Sequence, residues 1–364
     1  MNFDYNEEQQ LLADSVRRFL QKDYDFEARR RILASPEGWS PQVWSTFAQM
    51  GLTGLPLPAD CGGFGGGAVD LMGVMEACGD ALVLEPYLPT LLGALFIARG
   101  GNAEHKAALL PRVVDGTLRL AFAHTEAGAR YDLRHVRASA RPQDGGWTLE
   151  GEKRLVLGAP LAERWVMSAR AGDEVALFLV EASAVGIARS EYRTLDGLRA
   201  ADLRFSGARA ARLEGGIALI EELTDFATAL VCADAVGAMK YACDATLEYL
   251  KTRKQFGVPI GTFQALQHRI VDMYISHEQA RSMACLACSK ADQASDARER
   301  ARSVSAAKIR IADAARHVSQ EAVQLHGGMG MTEELKISHT FRRLTVAAQL
   351  FGDADHHLER FAAL

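Results

Sequence analysis

The hydrophobic and polar positions of the chain follow three successive patterns, and the first is helical. From Asn6 to about residue 110, apolar residues recur with a period of about 3.6, as in helices that pack on one face. The first such face is formed by Leu11, Leu12, Val16, Phe19 and Leu20. Asn6 and Gln9 have the spacing of a capping box, which predicts that this helix begins beside them. The Pro- and Gly-rich stretch 54–67 predicts a loop that interrupts the helices.

The second pattern consists of short β-type runs separated by turn signals. The runs are Arg119–His124, Trp147–Glu150, Arg164–Ala169, Val175–Val180 and Ala201–Phe205. Asp144-Gly145-Gly146 and Asp196-Gly197 are typical turn sequences between them. The middle of the chain is therefore predicted to form a small β domain with mainly antiparallel strands.

The third pattern, after Gly216, is helical again. Pro259 is the only proline there, and Ala, Glu, Lys, Arg and Leu dominate, so long helices packed as a bundle are expected. The sequence thus predicts a helical domain at 1–117, a β domain at 118–213 and a helical domain at 214–364. Because helices and strands are segregated, we do not expect a doubly wound or TIM-barrel layout.

Composition narrows the function classes. The chain has 364 residues, 48% of them hydrophobic and 24% charged, with a net charge of -5, which disfavours binding to nucleic acid or to an anionic membrane. An acidic, polar N-terminus and the lack of any run of about 18 apolar residues predict a cytoplasmic protein without a membrane span. Six cysteines in so long a chain are expected to be free thiols.

Three short motifs each have an ordinary structural interpretation beside a functional one. Gly63–Ala68 fits a dinucleotide-binding pattern, but a Pro-rich loop precedes it where that pattern needs a strand. Cys285 and Cys288 have no second Cys or His pair at zinc spacing, so we expect one helix face and no metal. The adjacent His356 and His357 are ligands or bases in one interpretation and a surface or interface pair in the other.

Two longer stretches are more specific. In Tyr249–Gln264 a predicted helix ends in a cationic group, breaks at glycine and proline, and restarts. An arginine beside such a break suits an anionic ligand such as a pyrophosphate, although an ordinary helical turn has the same pattern. In Gln324–Glu334, clustered glycines after a helix permit close approach of a ligand to the backbone, or simply end the helix.

With these residues the chain resembles the acyl-CoA dehydrogenases, flavoproteins that form the α,β-double bond of CoA thioesters. Three motifs carry the resemblance, in order and at family spacing: Thr125-Glu-x-Gly128, Arg253-Lys-Gln-Phe-Gly with Gln264, and Gln324-x-x-Gly-Gly-x-Gly. The resemblance implies an α+β multidomain fold with an N-terminal α-helical domain, a middle β-barrel-like domain and a C-terminal four-helix bundle. The phrases CGGFGGG, TRKQFGVPIGTFQALQHR and LFGDADHH are similar to the small subunit of a heteromeric member.

The resemblance also implies an FAD site. Thr125 would lie against the flavin ring, while Arg253, Phe256 and Gln264 would hold the pyrophosphate and adenosine side across a subunit interface. Gln324, Gly327 and Gly328 would line the other flank of that FAD. Two segments depart from the family. Leu155 and Leu157 stand where an aromatic residue and a threonine are usual, and Arg130-Tyr131 replaces a Gly-Ser that faces the pyrophosphate.

The catalytic base is the largest departure. Dehydrogenation needs a carboxylate to take the α-proton, and the two positions where the family places a glutamate are Phe351 and Ala227 here. Asp353 is the candidate base in this chain, although an aspartate there is equally suited to cap a helix. Asp225 occupies the position of a family aspartate on the substrate side, and Thr228 replaces its companion arginine.

The resemblance implies an FAD-dependent enzyme of fatty acid β-oxidation type. It would oxidise a medium-chain or dicarboxylyl CoA thioester, pass electrons to an electron-transfer flavoprotein, and work as a homo- or heterotetramer, possibly with a large subunit that supplies the glutamate. Two alternatives stay open: a non-catalytic, FAD-holding small subunit, and a related flavoprotein with non-dehydrogenating chemistry.

Overall fold

A computed structural model of the protein describes residues 5–293 and 296–364. Its α-helices are α1 (Glu7–Asp23), α2 (Phe26–Ala34), α3 (Pro41–Gln49), α4 (Ala68–Ala81), α5 (Tyr87–Gly100), α6 (Ala103–Val114), α7 (Gly216–Thr252), α8 (Gln264–Gln293), α9 (Ala297–His326), α10 (Lys336–Gln349) and α11 (Ala354–Ala363). Its strands are β1 (Leu120–Ala123), β2 (Ser139–Gln143), β3 (Gly146–Leu157), β4 (Arg164–Ala171), β5 (Glu174–Glu181), β6 (Ile187–Arg193), β7 (Arg199–Leu213), β8 (Lys254–Gln255) and β9 (Val258–Pro259). The predicted order of helices, strands and helices is confirmed.

The chain divides into two compact units. We call Met1–Arg31, Ala68–Val83 and Thr228–Leu364 the helical unit, and Ile32–Gly67 with Leu84–Ala227 the barrel unit. Each is described separately below.

The sheet of the barrel unit closes on itself. β4 pairs with β2, β2 with β3, β3 with β7, β7 with β5, and β5 again with β4. These pairings are antiparallel except for β2 with β4, while β1 joins β4 in parallel and β6 joins β7. The interior is filled by large side chains, among them Trp165, Phe178 and Phe205, each at most 1% exposed. The expected β-barrel-like domain is therefore present.

In the helical unit, α4 and α7 cross at two glycines. A Cβ on Gly79 would lie 1.8 Å from the Asp234 carbonyl oxygen, and a Cβ on Gly237 would lie 1.8 Å from the Glu76 carbonyl oxygen. Only glycine permits this approach, so each helix supplies one glycine to a backbone-to-backbone contact.

The C-terminal end of α4 is held by two buried arginines. Arg29 Nε donates to the Leu82 carbonyl at 2.7 Å, and an Arg343 guanidinium nitrogen donates to the Val83 carbonyl at 2.6 Å. Cations are stabilising at this end of a helix because its last carbonyl groups lack partners within the helix.

Several local predictions are confirmed. Asn6 and Gln9 form the capping box of α1, with hydrogen bonds of 2.8 and 3.0 Å. The stretch around residues 54–67 is a loop with two short 3-10 helices. Gly63–Ala68 is therefore the end of this loop and the first residue of α4, with no strand among the described residues before it. All six cysteines are free thiols. Among the described residues, no helix is long and apolar enough to cross a membrane. No group of His, Cys, Asp and Glu side chains among those residues is placed to hold a metal ion, and the absence of a metal from this protein stays a prediction.

Candidate functional site

Thr125 lies in the exposed loop that follows β1 of the barrel unit. Its carbonyl accepts a hydrogen bond of 2.7 Å from the backbone N–H of Arg154, which belongs to β3. β3 carries a bulge between Lys153 and Val156, and Leu155 within it has a φ of 50° and a side chain that is 43% exposed. The bulge therefore brings the Thr125 loop beside Leu155, one of the residues that depart from the family.

A buried ion pair anchors this loop from inside the barrel. Lys153 is fully buried, and its Nζ donates to Glu126 Oε1 at 2.6 Å, to the His124 carbonyl at 3.0 Å and to Ser168 Oγ at 3.0 Å. Its three N–H groups are thus all satisfied, and the residues on both sides of Thr125 are tied to β3.

The carboxylate of Glu126, the other member of the ion pair, also has hydrogen bonds to both of its oxygens. The two oxygens of Glu126 accept hydrogen bonds from the backbone N–H groups of Arg137 at 2.7 Å and Ala138 at 3.1 Å. Glu126 is part of the Thr125-Glu-x-Gly128 motif, but its pairing with Lys153 was not predicted, because the two residues lie 27 positions apart in the chain.

Burial shifts two pKa values in this cluster. The pKa of His124 falls to about 3, first because of burial and then because of the Lys153 charge. The pKa of Lys153 falls to about 8 through burial, while the Glu126 carboxylate opposes that shift. His124 is therefore neutral at pH 7, and its Nδ1 lies 2.9 Å from Ser168 Oγ.

In the helical unit, Arg253 comes just before a short β-hairpin, and Phe256 lies in its two-residue turn. β8 and β9 pair across Phe256 and Gly257, whose φ angles of 55° and 81° are those of a type I′ turn. Phe256 is 91% exposed, and Gln264, exposed as well, begins α8. The Arg253 guanidinium is exposed and has no hydrogen bond or ion pair with any residue within 5–293 and 296–364. The predicted helix break is confirmed.

Gln324, Gly327 and Gly328 lie at the C-terminal end of α9 and in the 3-10 turn after it, and all three are exposed. Gly327 has a φ of 61°, and a Cβ on either glycine would meet nothing within 4 Å. Beneath the turn, the Tyr249 ring of α7 stacks on the His326 ring of α9, with centroids 4.4 Å apart. This contact brings together the helix ends that carry Arg253 and Gln324.

These groups fit a diphosphate-containing cofactor. Arg253 offers a permanent cation with no internal partner among the described residues, and the two glycines offer backbone that is open to close approach. The predicted cofactor residues are thus divided, with Thr125 on the barrel unit and the other six on the helical unit.

The turn between α10 and α11 carries Phe351 and Asp353. Phe351 has a φ of 58°, and Gly352 has a φ of 124°. Asp353 is the N-cap of α11, where its carboxylate accepts the backbone N–H of His356 at 2.9 Å. The capping role is therefore present, and the catalytic role of Asp353 stays a prediction.

Two buried groups of α9 and α11 fix this turn. Lys308 Nζ donates to the carbonyl groups of Ala347 at 2.5 Å and Leu350 at 2.8 Å. His357 Nε2 lies 3.1 Å from the Phe351 carbonyl, which can only accept, so this nitrogen carries the proton. Burial, reinforced by the Lys308 charge, lowers the pKa of His357 to about 3.

The remaining predicted positions are placed as follows. Ala227 and Asp225 are buried on α7, and Asp225 is 1% exposed. Arg130 follows the Thr125 loop with a φ of 48°. Cys285 and Cys288 lie on α8, as expected for one helix face.

Family comparisons agree with this architecture. The N-terminal, middle and C-terminal domain models of acyl-CoA dehydrogenase match residues 6–117, 121–208 and 214–363. The chain belongs to the acyl-CoA dehydrogenase family, and it is an oxidoreductase of the class that acts on CH–CH groups with FAD as cofactor.

Particular relatives resemble the chain along nearly its whole length. The L-prolyl-[peptidyl-carrier protein] dehydrogenase of Serratia sp. is 31% identical, over 92% of this chain and 90% of that protein. The crystal structure of the ChsE4-ChsE5 complex from Mycobacterium tuberculosis matches with a TM-score of 0.92 and 26% identity, over 100% of this chain and 98% of that one. The structure of PigA with FAD and proline matches with a TM-score of 0.91 and 28% identity, over 100% and 98%.

Proposed function

We propose that this chain is the smaller subunit of a heterotetrameric acyl-CoA dehydrogenase, similar to the small subunit of pimeloyl-CoA dehydrogenase. The complex would oxidise a medium-chain or dicarboxylyl CoA thioester and pass electrons to an electron-transfer flavoprotein. The observation that carries the proposal is the contrast between an exposed, intact set of cofactor residues in the helical unit and apolar residues, Phe351 and Ala227, at both base positions.

The cofactor-site residues that depart from the family all belong to one part of the expected site. Residues expected to reach across a subunit interface, such as Arg253 and Gln324, are retained and exposed. Several residues expected to serve the chain's own flavin are changed, as at Leu155 and Arg130. A subunit that completes the cofactor site of a sister subunit needs the first set and not the second, so we expect one FAD per pair of chains. The ChsE4-ChsE5 complex shows that a chain of this fold occurs in an assembly of two differently named proteins.

The chemistry sets the roles of the residues. Bound FAD supplies a two-electron acceptor for the hydride that leaves the β-carbon. Arg253 balances the diphosphate charge, and the backbone at Gly327 and Gly328 lets the diphosphate approach. The α-proton goes to a carboxylate, which we assign to a glutamate of the sister subunit.

The boundaries at 117 and 213 stay predictions of where the three domains meet.

The proposal is tested by anaerobic titration with octanoyl-CoA and pimeloyl-CoA while the blue flavin absorption is followed. We expect bleaching only when the chain is co-purified with a sister subunit, at one FAD per pair. If the chain alone retains FAD and bleaches, it is a complete dehydrogenase and Asp353 becomes the leading base. A sister subunit that forms no complex with the chain contradicts the proposal.

Asp353 is examined with two substitutions in the reconstituted complex. Asparagine caps a helix as well as aspartate does, so Asp353→Asn should leave both stability and kcat unchanged, while Asp353→Ala should cost about 1 kcal/mol of stability. A fall in kcat of about 100-fold or more in Asp353→Asn, with stability unchanged, would instead identify Asp353 as the base. Urea unfolding and steady-state kinetics on the same preparations separate the two roles.

A further inference from the structure

Two exposed methionines lie on one turn, the 3-10 turn after α9 that carries Gly327 and Gly328. Of the ten methionines in the chain, Met329 is 52% exposed and Met331 is 69% exposed, and every other methionine at a described position is buried or half-buried. An oxidant dissolved in water reaches an exposed thioether far more readily than a buried one. Methionine oxidation should therefore concentrate at this turn.

The backbone of the turn is fixed on both sides of Met329. A Cβ on Gly330 would lie 2.6 Å from the Val323 carbonyl oxygen, so the turn packs directly on α9. The Met329 carbonyl accepts hydrogen bonds from the backbone N–H of Thr332 at 3.2 Å and from the Thr332 hydroxyl at 3.0 Å. Because the turn is held in this way, a Met329 side chain that no longer fits its surroundings should displace the turn as a whole.

The surroundings of Met329 differ from those of Met331. Met329 lines a cavity of about 300 Å³ at the ends of α7 and α9, together with Tyr249 and Thr252, and Met331 does not. The Tyr249 hydroxyl already donates to a carbonyl of α9 at 3.5 Å, and the Thr252 hydroxyl donates to a carbonyl of α7 at 2.8 Å. A new acceptor on Met329 would compete for hydroxyl groups that are in use, and an unpaired polar group there is costly.

We propose that Met329 is an oxidation-sensitive modification site and that its sulfoxide weakens the binding of FAD. The oxidant is hydrogen peroxide, whose O–O bond breaks as one oxygen bonds to the Met329 sulfur and the other leaves as water. The sulfur loses two electrons, and the thiols of a methionine sulfoxide reductase return them, so the modification is reversible. The inference rests on the cofactor role proposed for Gly327 and Gly328, and it does not depend on the heterotetramer.

The test treats the FAD-loaded protein with hydrogen peroxide. We expect mass spectrometry to find sulfoxide at both Met329 and Met331, and we expect the retained flavin absorption to fall as Met329 is oxidised. Met329→Leu should keep its FAD under this treatment, whereas Met331→Leu should lose FAD like the wild type. Methionine sulfoxide reductase with a thiol should restore FAD binding to the oxidised wild type.

A second pair of variants needs no oxidant. Glutamine resembles methionine sulfoxide in length and polarity, so Met329→Gln should bind FAD about fivefold or more weakly, as an unpaired polar group predicts. Met331→Gln should bind FAD like the wild type. No sulfoxide at Met329, or full FAD affinity of Met329→Gln, would overturn the inference.

Gly328→Ala separates this inference from the proposed cofactor site. If Gly328→Ala lowers the FAD content and Met329→Gln does not, the turn holds FAD and only the inference about Met329 is wrong. If neither variant lowers the FAD content, the cofactor role of the turn is wrong as well.

Discussion

At the scale of the residue, the buried pair of Lys153 and Glu126 is the feature with the largest expected effect. Burying a charge is costly, and this pair offsets the cost with five hydrogen bonds shared among Lys153, Glu126 and their neighbours. Because Lys153 bonds to His124 and Glu126, the residues on both sides of Thr125, the pair also holds the chain in place around Thr125.

We predict that Lys153→Met destabilises the protein by about 3–5 kcal/mol, since it leaves the Glu126 carboxylate buried without its cation. FAD retention in the reconstituted complex should be unchanged, because the proposed cofactor site uses Arg253 and Gln324 and not the Thr125 loop. Urea unfolding and flavin content measure the two effects.

The control is Arg209→Met, which removes an ion pair with Asp144 in which both side chains are 71% exposed. That pair contributes little because water screens it, so stability should be nearly unchanged. Similar losses for the two variants would contradict the role assigned to Lys153.

The sequence predicted the candidate site only in part. The motifs that contain Arg253, Phe256 and the glycines could be recognised because they are local, and the structure places these residues in the turns that follow α7 and α9. The partners of Lys153 and the turn-fixing role of Lys308 could not be predicted, because each depends on contacts between residues 15 to 42 positions apart.

At the scale of the element, the glycines at the crossing of α4 and α7 are required for close packing of the two helices, whereas glycines in exposed turns are not. Gly79→Ala and Gly237→Ala place a methyl group against a backbone carbonyl of the other helix, which neither helix can avoid without moving apart. Each should cost about 1–3 kcal/mol or more, measured by thermal or urea unfolding.

Gly328→Ala is the matched comparison, since a Cβ at Gly328 meets open space. We predict unchanged stability of the chain but lower FAD content in the complex, because the added methyl group stands where the cofactor would approach. Full FAD content in Gly328→Ala would remove this glycine from the cofactor site.

The strands that are largely buried were predicted from the sequence, and strands that are largely exposed were missed. β4 and β5 are central and buried, and their apolar runs located them to within two residues. β2 and β6 were missed, because β6 is exposed along most of its length and so carries few apolar residues. The predicted run Trp147–Glu150 was too short because a bulge interrupts the alternation of β3 before Leu157.

At the scale of the whole molecule, stability should depend on pH through His124 and His357. Both have a pKa of about 3 in the fold against 6.5 in the unfolded chain, so below pH 6.5 the unfolded state binds more protons. Stability is therefore full above pH 6.5 and falls as the pH drops towards 3, by up to about 1.4 kcal/mol per pH unit for each histidine.

His357→Gln should reduce the slope of unfolding free energy against pH between 6.5 and 4, since it removes one of the two groups. His268→Gln, at an exposed position of α8, should leave the slope as it is. A slope that is the same in all three proteins would show that His357 is not responsible.

The reactivity of the buried thiols should report how often the helices of this chain separate. Burial raises the pKa of Cys232 to about 11 and that of Cys243 to about 12, and both lie on the part of α7 inside the helical unit. Since only an exposed thiolate reacts readily, these cysteines should resist iodoacetamide until α7 separates from its neighbours. Mass spectrometry of time-resolved labelling should then show Cys61, which is partly exposed, modified first, and the α7 pair only at the rate at which the helices open.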